Sequence, residues 1–355
     1  MNGKTIEAKN IIERCLGKNG VWASPFRYKY QCWTRDFVIA TEDLLLEEGK
    51  SEIVKKHLTS LANRQFSDGR IPIMFLDNTF KWLLLKIWHS IRNRKISFLL
   101  KGYFSKEGIG QLSPWTRDSE FLFVLGVAKY VAKTNDKKFL SENKGRIDKA
   151  LSYVEKNLMK DGLVIGSDWR DTRPDLDDKF LMTNNCFLFQ AYKLLGENEK
   201  AEQIKEAINE KLWTGKYYRD YIGIENFDTL GNALAILFEI VPKESYSSII
   251  ASAESLNTPY GYKLYGVTLP SKSGTEAEIM QKADTVGLIW PFIHGFMVLS
   301  EIKAGAEDIA VEQYDKWKKL PGFFEFYDPQ TGKGYGSIDQ AWSAAIYLRV
   351  ARVFE

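Results

Sequence analysis

Residues 166–189, GSDWRDTRPDLDDKFLMTNNCFLF, join two kinds of sequence that the rest of the chain repeats. An aromatic-flanked acidic loop (Asp168, Trp169, Arg170, Asp171, then Asp175, Asp177 and Asp178) runs straight into an apolar helix whose first turn carries Thr183, Asn184 and Asn185. A helix that is apolar nearly all round is buried nearly all round, so this polar loop ends at the N-terminus of an interior helix. Five other places repeat the arrangement, and this one has the richest supply of carboxylates.

Apolar, interior-type helices are predicted over residues 34–48, 116–133, 180–196, 228–240, 285–302 and 338–353. Amphipathic, charged helices are predicted between them, over 5–16, 50–65, 138–159, 198–212, 243–256 and 304–319, with hardly a convincing strand. Six outer–inner pairs, each too small to bury its own apolar face, predict an all-α fold, a closed (α/α)6 barrel of about twelve helices in a single catalytic domain spanning residues 1–355. Inner-to-outer links are short (Gly49; Gly196-Glu197; Val241-Pro242), whereas outer-to-inner links are long and rich in Trp, Asp, Arg, Tyr and Gly. Function is therefore expected at the end where the long loops gather. The six inner helices point their N-termini there, which favours negative charge.

The longest link carries an inserted basic segment near 76–104, including TFKWLLLKIWHSIRNRKISFLLKGYF, with six Lys/Arg and no acid. It reads as an extra helix or lid beside the funnel. Its apolar positions are read as not holding one clean face, so a membrane anchor is not expected. The whole chain has 355 residues and a formal charge of +3, which gives no electrostatic reason to expect a nucleic-acid partner. Three cysteines without CxxC spacing and a polar start, MNGKTIEAKN, predict a cytoplasmic protein without a disulfide framework. Aromatics make up 14% of residues, ten of them Trp, which is consistent with an aromatic core and equally with stacking surfaces for flat ligands or sugar rings. His57, His89 and His294 are far apart, and neither a metal nor a cofactor is expected.

Trp33-Thr34-Arg35-Asp36 and Trp115-Thr116-Arg117-Asp118 are one tetrapeptide at two successive inner-helix starts. As structure alone, Thr and Asp cap helices and Arg pairs with the Asp beside it. As chemistry, Arg–Asp pairs hold sugar hydroxyls while Trp stacks on the ring. Asp171, next to an indole inside a closed funnel, is the expected general acid, with Asp168 occupying Arg170. Glu325, among Phe323, Phe324, Phe326 and Tyr327 and before the helix that opens with Asp339-Gln340-Ala341-Trp342-Ser343, is the expected base that activates water.

Taken together, these residues resemble the six-hairpin glycosidase superfamily: glucoamylase, trehalase, processing α-glucosidase, amylo-α-1,6-glucosidase and, most of all, the neutral/alkaline invertases. Arg35-Asp36-Phe37-Val38 with Glu52-Ile53-Val54-Lys55, Leu230-Gly231-Asn232, Trp290-Pro291, Glu325-Phe326-Tyr327-Asp328 and Trp342-Ser343 carry the similarity. The resemblance places Asp171 where these families have the acid and Glu325 where they have the second catalytic residue. Thr183-Asn184-Asn185 stands where invertases have a Glu-Ile helix start, which turns the expectation away from sucrose. It implies an inverting, exo-acting hydrolase of an O-glycosidic, α-glucosidic bond in a small carbohydrate. Trp33, Arg35, Asp36, Trp115, Arg117, Asp118, Trp169, Arg170, Asn184, Trp290, Tyr327, Gln340 and Trp342 would then hold the sugar. The alternatives weighed are a sugar epimerase on the same barrel, which would want a His acid/base pair, and a non-catalytic carbohydrate-binding protein.

Overall fold

A computed structural model describes residues 2–92, 117–170, 173–264 and 287–355. In chain order the first helices are α1 (Gly3–Cys15), α2 (Thr34–Asp36), α3 (Glu42–Glu47), α4 (Ser51–Ala62), α5 (Thr79–Arg92), α6 (Ser119–Thr134) and α7 (Lys137–Asn157). They are followed by α8 (Met182–Leu195), α9 (Asn198–Leu212), α10 (Thr229–Leu237), α11 (Tyr246–Ala253), α12 (Pro291–Lys303), α13 (Glu307–Lys319) and α14 (Ala341–Phe354). The predicted inner helix 34–48 is one rod in three pieces, with a π-helical turn, Phe37–Thr41, between α2 and α3. The expected helix 285–302 instead starts at Pro291, because proline suits the first helical turn and Trp290 takes the cap position.

The inner helices form a closed ring. The rod through α3 touches α6, α6 touches α8, and contacts then run through α10 and α12 to α14, which returns to the rod. Each inner helix is buried on almost every side; Phe121 to Leu125 in α6 are all inaccessible. The outer helices α1, α7, α9, α11 and α13 lie against α14, α6, α8, α10 and α12, and the sixth, α4, lies against α3 and α6. Their charged faces are exposed, as in α7, where Phe139, Ile147, Ala150, Leu151 and Val154 are buried. This is the (α/α)6 barrel, and burying each large apolar side chain contributes about 1.5–3 kcal/mol.

Strands are more frequent than the sequence suggested, though tiny. Met159–Lys160 pairs with Leu163–Val164, Asn257–Thr258 with Gly261–Tyr262, and Phe326–Tyr327 with Gly334–Tyr335, each ribbon lying between an outer and an inner helix. A fourth ribbon joins two different connections, Gln31–Trp33 with Met74–Leu76. At two or three residues per strand, no alternation is long enough to be read.

The ribbons are tied to the barrel by a repeated device. The fourth residue of α8, Asn185, accepts from Val164 N–H at 2.7 Å and donates to Val164 O. The fourth residue of α10, Asn232, does the same for Tyr218, and the fourth of α12, His294, accepts from Tyr262 N–H through Nδ1. A buried polar side chain thus stands in for a missing neighbouring strand. Burial above all, against the pull of the Gln313 carbonyl and with the charge of Lys316, pushes the His294 imidazole down to about 3, so it is neutral, and its Nε2 faces Gln313 O. Gly261, at φ +125°, is required here because a Cβ would lie 2.9 Å from that ring.

Candidate active site

Three groups of side chains gather at the N-terminal ends of the inner helices. The first surrounds Glu325, whose carboxylate accepts from Ser337 N–H (2.8 Å) on Oε2 and from the Tyr28 hydroxyl (3.3 Å) on Oε1. Arg27 stands 3.9 Å from Oε2. Burial first, then the charge of Glu325 beside it, raise the Tyr28 hydroxyl far above its ordinary value, so it donates. Asp36 acts on the same hydroxyl electrostatically, and Trp33 meets the Tyr28 ring edge-on at 6.0 Å. Glu325 is therefore presented as an acceptor with donors on both oxygens.

The second group is an aromatic wall. Trp169 packs edge-to-face on Trp290 (4.9 Å) and Phe292 (5.3 Å), Phe292 stacks on Trp342 (4.0 Å), and Trp290 touches Phe326, the neighbour of Glu325. At the starts of the inner helices, several polar atoms are buried with no hydrogen-bond partner among the described residues: Nε1 of Trp33, Trp290 and Trp342, Asn184 Oδ1, Gln340 Oε1 and Ser343 Oγ. Buried polar atoms are normally paired, and a cluster of orphans at one end of a barrel is what a hydroxyl-rich ligand would satisfy.

The third group is ionic. Arg35, almost inaccessible, pairs with Asp118 at 3.1 Å and donates to Trp169 O. The local Arg–Asp pairs expected within each tetrapeptide are thus replaced by one pair across the two, because Arg35 reaches the next inner helix; Arg117 turns instead to Asp177. Arg170 lies between Asp168 (2.8 Å from Nε) and Asp220 (2.8 Å from Nη1) and is 1% exposed. The expectation that Asp168 occupies Arg170 fits this geometry. Arg170 itself is a clamp held between two buried carboxylates. Tyr327 also departs from expectation. It is fully buried, and its hydroxyl accepts from Phe324 N–H and faces the carbonyls of Pro321 and Gly322, so it shapes the Glu325 loop from within. Asp171 and Trp115 lie outside the described residues.

Sequence reasoning missed Tyr28, Ser337, Asp220 and Asp228. Asp228, wholly buried, accepts from Thr183 Oγ1 at 2.9 Å. Burial and then the neighbouring Asp220 push its carboxyl up to about 7, while Arg170 pulls the other way. Gly231 makes room for it, since a Cβ there would stand 2.4 Å from Asp228 Oδ2. A signal was present for both aspartates, which sit in or end a polar-aromatic loop before an inner helix. No group of three His, Cys, Asp or Glu among the described residues is arranged to hold a metal.

The architecture recurs in solved structures. A GH63 mannosylglycerate hydrolase from Thermus thermophilus, in complex with Tris and D-glycerate, superposes with a TM-score of 0.68 at 14% identity, covering 97% of this chain and 99% of that one. The two proteins share the (α/α)6 barrel fold. A glycosidase variant in complex with glucose gives 0.67 at 13% identity, covering 98% of this chain and 95% of that one. A Klebsiella oxytoca rhamnosidase with rhamnose bound gives 0.65 at 13% identity, covering all of this chain and 64% of that one. In sequence, a mannosylglycerate hydrolase of Rubrobacter radiotolerans is 28% identical over 166 residues, or 42% of this chain and 36% of that relative's length. No family model matches the chain.

Proposed function

We propose that this chain is an inverting, exo-acting glycoside hydrolase of small α-linked glycosides, with Asp171 as general acid and Glu325 as general base. The observation that carries the reading is the setting of Glu325. Its two oxygens face the Ser337 N–H and the Tyr28 hydroxyl beside a wall of Trp169, Trp290 and Trp342. A carboxylate held as an acceptor beside ring-stacking faces is equipped to take a proton from water attacking a sugar. Asp171, on a different loop, would protonate the leaving oxygen, and a separation of roughly 6.5–9.5 Å would leave room for the water. Trp33, Asn184, Trp290, Gln340 and Trp342 offer unpaired polar atoms to the sugar's hydroxyls, and Asp36 and the Arg35–Asp118 pair border the same space.

The compared proteins support a compact substrate. Two of them are mannosylglycerate hydrolases, so a glycoside with a small charged aglycone belongs in any screen beside α-linked disaccharides and sucrose. The test is to incubate the protein with such a panel and follow released sugar by proton NMR in the first minutes. The expected result is release of one monosaccharide with the anomeric configuration opposite to the substrate. Asp171→Asn and Glu325→Gln should each remove nearly all turnover with the fold intact. Retention of configuration, or substantial turnover by either variant, would sink the assignment.

A further inference from the structure

A well opens on the barrel's axis at the end opposite the candidate active site. Its volume is about 510 Å³ and all six inner helices line it from their C-terminal halves; sites for small ligands occupy roughly 300–1,000 Å³. Ile39, Phe187 and Phe296, all nearly inaccessible, form its floor. One turn back along the same helices stand Asp36, Asn184 and Phe292 of the candidate active site, so the two concavities lie base to base within the ring.

The lining divides into two halves. Three adjacent helices, α8, α10 and α12, contribute Leu194, Leu237, Phe238 and Leu299 above the floor, with Gln190 as the polar side chain among them. The other three, α14, the rod through α3 and α6, contribute Arg349, Asp43, Glu47, Lys129 and Lys133. This polar half is knit around one carboxylate. Asp43 Oδ2 accepts from Lys129 Nζ at 3.0 Å and from Arg349 Nη1 at 3.2 Å, while Arg349 Nε donates to Glu47 at 3.1 Å. Three cations thus face two carboxylates, and Lys133 makes no ion pair among the described residues. Helix C-termini favour cations, but at the end of α10 the Leu237 and Phe238 carbonyls already accept from Lys303 and Lys193, so that negative end is offset from outside the well. Gln190 Oε1 is buried with no hydrogen-bond partner among the described residues, and a buried acceptor calls for a donor.

These features select the occupant. It is compact enough to enter between six helix ends, apolar on one side, negatively charged for Lys133 on the other, and carries a hydroxyl or N–H for Gln190. A wholly apolar ligand would desolvate Lys129 and Arg349 without replacing their water, and a sugar would press its hydroxyls against the leucines and phenylalanines of α8, α10 and α12. A cation would meet the excess positive charge.

We propose that the axial well is a second ligand site, separate from Asp171 and Glu325, for a small amphipathic anion: an aromatic or short aliphatic acid bearing a hydrogen-bond donor. The probe is anilinonaphthalene sulfonate, which combines apolar rings, one negative charge and one N–H. It is titrated against the full chain by fluorescence and by calorimetry. The expected result is saturable binding of a single probe molecule per chain with blue-shifted emission. Lys133→Glu should weaken it about tenfold, and Ala132→Trp, at the mouth of the well, should block it. Both positions are exposed, so both variants should keep the wild-type thermal midpoint. Absence of saturable binding would overturn the proposal. So would undiminished binding by either variant, which would put the probe elsewhere, as on the aromatic wall around Trp290. A concentration-dependent dimer that Ala132→Trp abolishes would likewise overturn it, giving the well to a second copy of the chain.

Discussion

Gly336 matters as much to the placement of Glu325 as the bonds that carboxylate makes. At φ +79°, a Cβ on residue 336 would lie 2.5 Å from Glu325 Oε2, where the Ser337 N–H now donates. Gly336→Ala is expected to push the carboxylate out of place and lower turnover about a hundredfold. Its thermal midpoint should fall only slightly, and steady-state kinetics alongside calorimetry separate the two. Asp228 offers a different measurement. Burial and the neighbouring Asp220 push its folded-state carboxyl up to about 7, from 3.8 for an ordinary Asp. Between those values the folded protein holds a proton that the unfolded chain has released. This group's contribution to stability is therefore full below about pH 4 and is lost as pH rises through 7. Asp228→Asn, which keeps a neutral acceptor for Thr183, should flatten that part of the denaturation midpoint's pH profile; an unchanged slope would assign the proton elsewhere.

At the scale of elements, the helices were legible because each carries its own periodicity, and the loop between two such helices identifies itself by exclusion. The ribbons were not, since a two-residue strand leaves no pattern. Nor were Asn185, Asn232 and His294, because a polar residue four positions into an apolar helix says nothing of the strand it meets. Replacing Asn232 with Leu would leave the buried Tyr218 N–H and O without their partner, at about 1–3 kcal/mol for each group. Urea denaturation should show that loss without a change in the outer helices' circular dichroism. The Arg170 clamp was half legible. Asp168 is two residues away and could be read, whereas Asp220 is fifty residues on and is brought in by the fold alone. Arg170→Met strands two buried carboxylates and should cost about 3–5 kcal/mol. A loss under about 1 kcal/mol would show that solvent reaches the cluster.

The molecule as a whole is a ring, and its seam lies between α14 and α1. Glu355 there meets Asn2, Thr5 and Tyr314, and Tyr314 faces Tyr347. The six-pair count made a closed ring predictable, but no local signal in either helix names the other as its partner. Glu355→Ala is expected to cost about 1–2 kcal/mol, read from the denaturant midpoint, because the bonds it removes are partly exposed. The same seam fixes an order of events in the cell. At synthesis rates of about 5–20 residues per second, roughly 17 to 70 s separate the emergence of α1 from that of α14. Through that interval Ala8, Ile11 and Ile12, which α14 will later cover, have no shelter. Helix α1, like the rod through α3 that α14 also covers, thus waits for its partner with apolar side chains open to a chaperone, although Ala8, Ile11 and Ile12 are inaccessible in the finished ring.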